Sequence, residues 1–323
     1  MIVSMKPPYD LNNKILKLIT SISESIGEVN ASLLNKPSPQ LRKQNKIRTI
    51  YSSLKIEGNT LTEDQITALL DNKIVIGPQE DITEVKNAIN VYDNLKRFDS
   101  SSEKSFLLAH KNLMTGLIKA PGKFRKQGVG IVKGGEVEHL APSYDNVPFL
   151  MRDLFEYLKG TDELSLIKSC VFHYEMEFIH PFLDGNGRMG RLWQTLILME
   201  EYPLFEFLPF ETLISQKQQD YYKALADSDK EGKSTKFIEY MLSVIDASLA
   251  ELLNFKNRTL TQVDRLEYFV ALDKSIFSRK DYMLVFKDIS SATASRDLVK
   301  GIELKLFEKE GEKVKTIYRL IRK

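Results

Sequence analysis

HPFLDGNGRMGRL, residues 180–192, holds one histidine, one aspartate, one asparagine, three glycines and two arginines within thirteen positions. The chain on either side is apolar and helix-forming, VFHYEMEFI before it and WQTLILMEE after it. The stretch reads as a loop that runs into a helix. Gly185 and Gly187 permit tight turns and close approach of a ligand to the backbone. The first amides of a helix have no internal partners, and the helix dipole adds positive potential, so the start of the second helix is an anion site. Arg188 and Arg191 are three apart and share a helix face. Two guanidiniums beside a nest of amides match a di- or triphosphate. Asp184 would be repelled by such a ligand unless a cation lay between them, and Mg2+ held by one carboxylate and phosphate oxygens meets that need. His180, across the loop, can as a neutral imidazole take a proton from an attacking hydroxyl. Each residue alone has an ordinary structural explanation; the set in this order does not. No G-x-x-x-x-G-K-[ST] occurs, so a P-loop is a poor fit.

Outward from this loop the periodicity is helical. Apolar positions recur at three and four over residues 10–34 and again over 39–57, where Gly58 and Asn59 end the run as a C-cap. Thr62 with Gln65 forms a capping box opening TEDQITALL. Further helices are expected at 83–97, 103–118, 146–159, 163–178, 187–201, 216–227 and 234–256. Residues 122–142 break the pattern with five glycines. Val129, Ile131 and Val132 lead into Lys133-Gly134-Gly135, and Val137 follows, which is a β-hairpin with a Gly-Gly turn. A lone hairpin in a helical domain is marginal as a folding unit and reads better as a flap. After about residue 258, short helical patterns precede two strand-like runs around EKEGEK, the order of a winged helix. The fold class is therefore mainly α.

Composition bounds the partners. The 323 residues are 42% hydrophobic and 28% charged with a net charge of +2, so the whole chain is no electrostatic nucleic-acid binder. One cysteine, Cys170 in an apolar run, excludes a disulfide framework and a multi-cysteine zinc site, and it reads as a small buried hydrophobe. MIVSMKPPYD has no long apolar h-region and no run of 18 apolar residues occurs, so a soluble, cytoplasmic protein is expected. Residues 279–323 hold twelve Lys/Arg against seven Asp/Glu, a modest local surplus of five. DNA binding there would use Ser295, Arg296 and Lys300 on the recognition helix and Lys313 or Lys315 on the wing; docking of protein or closure of a homodimer is the alternative.

HPFLDGNGRMGR resembles the Fic family signature HxFx(D/E)GNGRxxR, with every specified position filled. The likeness spans about residues 40–245. It implies a Fic-type helical core with a hairpin flap and division into an N-terminal helical region (1–95, inhibitory helix about 40–58), a catalytic core (96–256) and a winged-helix domain (257–323). It implies a protein adenylyltransferase that moves AMP from ATP to a hydroxyl side chain of a target protein and releases pyrophosphate. The family's base maps to His180 and its magnesium carboxylate to Asp184. The anion hole maps to Gly185, Asn186 and Gly187, and the phosphate-binding arginines to Arg188 and Arg191. Phe182 packs inward to anchor the loop. The flap positions matched to target docking are Gly130, Ile131 and Val132. Tyr221 and Tyr222 stand either near the adenine or in the helix core.

A second motif bears on regulation. SLKIEG, residues 53–58, resembles the inhibitory (S/T)xxxE(G/N) motif of self-restrained Fic proteins, with Ser53 and Glu57 four apart on one face. The resemblance implies an ion pair of Glu57 with Arg191 that blocks productive γ-phosphate placement. Removal of AMP at the same site, a DNA-binding regulator with a nucleotide-sensing core, and donors other than ATP stay open. His173 is expected to face the core, His110 and His139 lack spaced partners, and Trp193 packs the helix after the motif.

Overall fold

The computed structural model describes residues 6–31, 39–133, 136–257, 262–272, 274–286, 289–311 and 316–321. The chain divides into two compact units, Met1–Val29 with Asn45–Glu251, and Asn30–Gln44 with Leu252–Lys323. Residues 45–95 group with the chain up to Glu251 in the first of these units. The reason is polar as well as apolar. Asn45 donates to the Phe207 carbonyl (2.8 Å), Ser53 accepts from Arg191 (3.0 Å), and Ile47, Ile50, Leu54 and Ile56 are buried.

The helices up to Asn257 are α1 (Asn13–Ala31), α2 (Pro39–Ile56), α3 (Glu63–Leu70), α4 (Gln79–Asp93), α5 (Glu103–Met114), α6 (Val147–Gly160), α7 (Ser165–Ile179), α8 (Asn186–Glu201), α9 (Glu211–Gln216), α10 (Gln218–Glu231) and α11 (Thr235–Asn257), all in the first unit but for parts of α1, α2 and α11. Several expected boundaries move, among them both ends of α4 and the end of α5, which stops at Met114 rather than 118. Pro78 sets the start of α4 at Gln79, four residues early, because proline suits a helix entry. The helix expected over 216–227 divides at Lys217 into α9 and α10. The capping box of Thr62 and Gln65 is present in both directions. Gly58 ends α2 at φ +96°, a conformation that glycine adopts without the Cβ penalty.

The core forms around the antiparallel pair α7 and α8. Phe106, Phe155, Phe172, Phe182 and Trp193 are at most 2% exposed and meet mainly edge to face, centroids 5.0–6.4 Å apart. Such pairs add about 0.5–1.5 kcal/mol each beyond area burial. The indole of Trp193 donates to the Ser100 carbonyl (2.8 Å), so its one polar atom is satisfied. α7 is apolar on nearly every face because it is surrounded, and that is why its amphipathic signal is weak.

Between α5 and α6 the hairpin β1 (Gly130–Lys133) and β2 (Glu136–Leu140) pairs antiparallel, with a bulge between Ile131 and Val132. Its Gly134-Gly135 turn lies outside the described residues.

The second unit contains α12 (Gln262–Ala271), β3 (Ile276–Phe277), α13 (Arg279–Val285), α14 (Ser291–Glu303), β4 (Phe307–Glu310) and β5 (Ile317–Leu320), the strands ordered β3-β5-β4 and antiparallel. Its core is Leu266, Phe269, Phe277, Tyr282, Phe286, Ala294, Leu298, Phe307 and Tyr318. Asp297 on α14 is 1% exposed and takes a two-point bond from Arg265 (2.6 and 3.0 Å). Ser295 accepts from Arg279 (3.0 Å), Arg296 is exposed, and Lys300 pairs with Glu303 (2.9 Å). Lys313 and Lys315 lie outside the described residues. No helix among the described residues is long and apolar enough to cross a membrane.

Candidate active site

The site is the join of α7 and α8. α7 ends at His180, whose φ of +49° is left-handed, a region that non-glycine residues seldom adopt. Phe182 then turns into the core, fully buried, its ring stacked on His110 with centroids 3.5 Å apart and planes 4° from parallel. The Asn186 side chain braces the turn from inside: Oδ1 accepts from the Phe182 amide and Nδ2 donates to the Phe182 carbonyl, both at 2.9 Å. Asn186 thus spends its side chain on loop geometry and has its backbone at the start of α8. Gly185, at φ +87°, leads into that start. A Cβ there would press on Met114 Sδ (2.9 Å) and His110 Nε2 (3.3 Å), so only glycine meets both demands.

Each arginine of α8 is held by carboxylates. Arg191 is fully buried and donates through Nη2 to Glu57 (2.7 Å) and to the Ser53 carbonyl (2.9 Å), and through Nε to the Ser53 hydroxyl (3.0 Å). Burial pulls its guanidinium down, but Glu57, with Tyr221 and Glu177, more than offsets this and holds it above its ordinary value. The Glu57 carboxylate also lies close over Gly187: a Cβ on Gly187 would come inside 3.0 Å of Glu57 Oε1. An acidic side chain therefore rests on the first turn of α8, where the helix dipole favours an anion.

Arg188 is clamped between Glu84 of α4 and the exposed Asp184 (2.6 Å). The second oxygen of Glu84 accepts from Asn59 (2.7 Å), two residues after Glu57. One turn at the end of α2 thus reaches both arginines, Arg191 directly and Arg188 through Glu84.

Two further residues hold the loop from behind. His110 accepts the Gly122 amide at Nδ1 (2.8 Å), which places its proton on Nε2, and Nε2 contacts the Asp184 carbonyl (3.0 Å). Burial pushes its pKa down to about 4, so it stays a neutral imidazole. Arg125, 3% exposed, gives its side-chain donors to main-chain carbonyls at the end of α7 and on both sides of the hairpin.

These contacts can be compared with known proteins. The Fic/DOC family model matches residues 100–198. A crystal structure of a Fic family protein from Desulfovibrio desulfuricans G20 is 40% identical, with alignment over 99% of each chain and a TM-score of 0.76. The chain belongs to the Fic family. Fic-1 of Caenorhabditis elegans, residues 134–508, has the same fold: 21% identical, 75% of this chain, 73% of that one, TM-score 0.62. In sequence the chain is 26% identical to "Protein adenylyltransferase fic-1" of Caenorhabditis elegans over 72% of this chain and 46% of the relative. It is 26% identical to "Protein adenylyltransferase Fic" of Nematostella vectensis over 73% and 58%. It spans about half the length of the curated relatives it matches.

Within this Fic fold the residues named from the motif gather as a group: His180, Asp184, Gly185, Asn186, Gly187, Arg188 and Arg191 on the loop and α8, with Ser53 of α2 and Glu57 just beyond its end against them. Tyr221 stands behind them, within electrostatic reach of Arg191 and Glu57. It is 2% exposed in the core, its hydroxyl 3.0 Å from His173 Nε2, and His173 in turn bonds Gln194 (2.6 Å). The Tyr221 ring packs in the helix core against Phe237. Tyr222 is 39% exposed and accepts from Gln218 (3.1 Å), whose amide also reaches the Ile56 carbonyl (2.7 Å). Gly130, Ile131 and Val132 lie in β1. Sequence reasoning missed Glu84, Asn59, His110 and Arg125. Asn59 alone carried a signal, as the residue after Glu57-Gly58.

Proposed function

We propose that this Fic protein is a protein adenylyltransferase that takes AMP from ATP, and that Glu57 holds it inactive. The observation that carries this reading is the Glu57 carboxylate on Arg191 and over Gly187. It stands where the phosphate chain of a nucleotide would find amides and guanidiniums. Carboxylate and phosphate are both anions, so they compete for one cradle, and Glu57 must leave for the terminal phosphate to be seated. In the open state Arg191 and Arg188 neutralise the phosphate chain, and the amides at the start of α8 hold its oxygens. A target hydroxyl, placed by pairing of its backbone with β1, attacks the α-phosphorus. The new bond is oxygen to phosphorus; the bond to the β-phosphate bridging oxygen breaks; pyrophosphate leaves; His180 takes the hydroxyl proton. Positioning and charge neutralisation supply most of the acceleration.

Mg2+ fits the residues present. Asp184 is an exposed carboxylate on the loop, 55% open at its side chain, and no group of three or more His, Cys, Asp or Glu among the described residues forms a cage. One carboxylate with phosphate oxygens and water is the donor set magnesium takes. When bound it would neutralise phosphate charge, and Asp184 would exchange Arg188 for it. The test is His180→Ala in a chain also carrying Glu57→Gly. Transfer of label from α-phosphate-labelled ATP should fall by about 10^2–10^4-fold, the usual worth of a general base, while ATP affinity by calorimetry is unchanged. Unchanged transfer would remove His180 from the base role.

A further inference from the structure

The flap and the catalytic loop are separated by about forty residues of chain, yet one guanidinium touches both. Arg125 donates from Nε to the His180 carbonyl (2.8 Å), from Nη1 to Gln127 O (3.0 Å), and from Nη2 to Pro142 O (2.5 Å) and Ile179 O (3.3 Å). Its own amide donates to Pro181 O (2.9 Å). Gln127 lies just before β1 and Pro142 just after β2, so both roots of the hairpin are held. A buried charge is costly unless its donors are matched, and here the matching is done by carbonyls alone. Two of them, at Ile179 and His180, close α7, whose C-terminal end attracts a cation. The left-handed backbone at His180 persists only if its surroundings over-determine it, and the Arg125 bond to that same residue is one such restraint.

We propose that Arg125 is a positioning residue that sets the flap against His180, so that a target hydroxyl docked on β1 meets the base in register. This rests on the transfer reading above for its purpose, though not for its geometry. Lysine keeps the charge but gathers its three donors on one nitrogen, and cannot span four carbonyls as the planar fork does.

The test uses the full chain with Arg125→Lys and hydrogen exchange read by mass spectrometry. The expected result is faster exchange, by about tenfold, in the β1–β2 segment and in residues 180–187 together, the loss of a charge-assisted bond. α8 beyond residue 190 and the C-terminal unit should keep wild-type rates. ATP affinity by calorimetry should be unchanged. With Glu57→Gly added, self-labelling from ATP should lose kcat at constant KM for ATP. Acceleration in one segment alone, or in neither, would overturn the link. If Arg125→Lys melts globally, Arg125→Gln is measured the same way, and global melting of both would assign Arg125 to stability alone. Should the Glu57→Gly parent show no labelling, the transfer reading fails while the exchange result still decides whether Arg125 joins flap and loop.

Discussion

Gly187→Ala asks whether Glu57 rests on the first turn of α8. The added Cβ would fall inside 3.0 Å of Glu57 Oε1, 3.3 Å from Glu57 Cδ and 3.0 Å from Arg191 Nη1. Glu57 is the end of a flexible side chain and gives way. The lost hydrogen bond to a charged group is worth about 1.5–3 kcal/mol. Replacing a helical glycine by alanine returns about 0.5–1 kcal/mol. The net in the wild-type background is a loss of about 0.5–2.5 kcal/mol. With Glu57→Gly already made, the carboxylate is absent and Arg191 is free to shift by tenths of an ångström. The same alanine then becomes neutral or stabilising by up to about 1 kcal/mol. The two substitutions therefore couple by about 1.5–3 kcal/mol. At roughly 2–4 °C per kcal/mol for a unit of this size, scanning calorimetry of the four proteins resolves it. Additive melting shifts would refute the placement of Glu57 over Gly187.

Other consequences follow from burial and charge. Below pH 6.5 the unfolded chain protonates His110 while the folded chain refuses the proton until about pH 4. Stability present above 6.5 is thus lost as pH falls through that window. Chemical denaturation should show wild type losing up to about 1.4 kcal/mol per pH unit relative to His110→Gln; parallel curves would contradict a buried neutral imidazole. In the C-terminal unit, Asp297→Ala removes a two-point acceptor of Arg265 and the acceptor of the Tyr282 hydroxyl (3.2 Å). It should destabilise that unit by about 1.5–3 kcal/mol in urea, the worth of a hydrogen bond to a charged group, and a loss under about 0.5 kcal/mol would contradict a stabilising role for Asp297.

The helices and the site loop were legible because local chemistry decides them. HPFLDGNGRMGR concentrates its functional groups in one loop, and Thr62, Gln65, Gly58 and the hairpin glycines act on their own neighbours. The boundaries of α4 and the division of α9 from α10 moved because Pro78 and Lys217 act at helix ends, where periodicity is weakest. What the sequence concealed is set by tertiary approach. Glu84 lies 104 positions from Arg188, and His110 74 from Asp184. A glutamate on α4 or a histidine on α5 looks like any other until the fold brings it to the loop. Tyr221 was ambiguous for the same reason, since an aromatic at helical spacing fits either a core or a ligand. Its hydroxyl found His173 inside the core.

The central claim is that Glu57 restrains a nucleotidyl-transfer site. Wild type and Glu57→Gly incubated with ATP and Mg2+ and weighed intact by mass spectrometry test it most directly. Loss of a bond worth about 1.5–3 kcal/mol from the closed state predicts about 10- to 150-fold more AMP-sized addition on the variant. Equal or lower addition on the variant, with wild type modified as readily, would contradict restraint by Glu57.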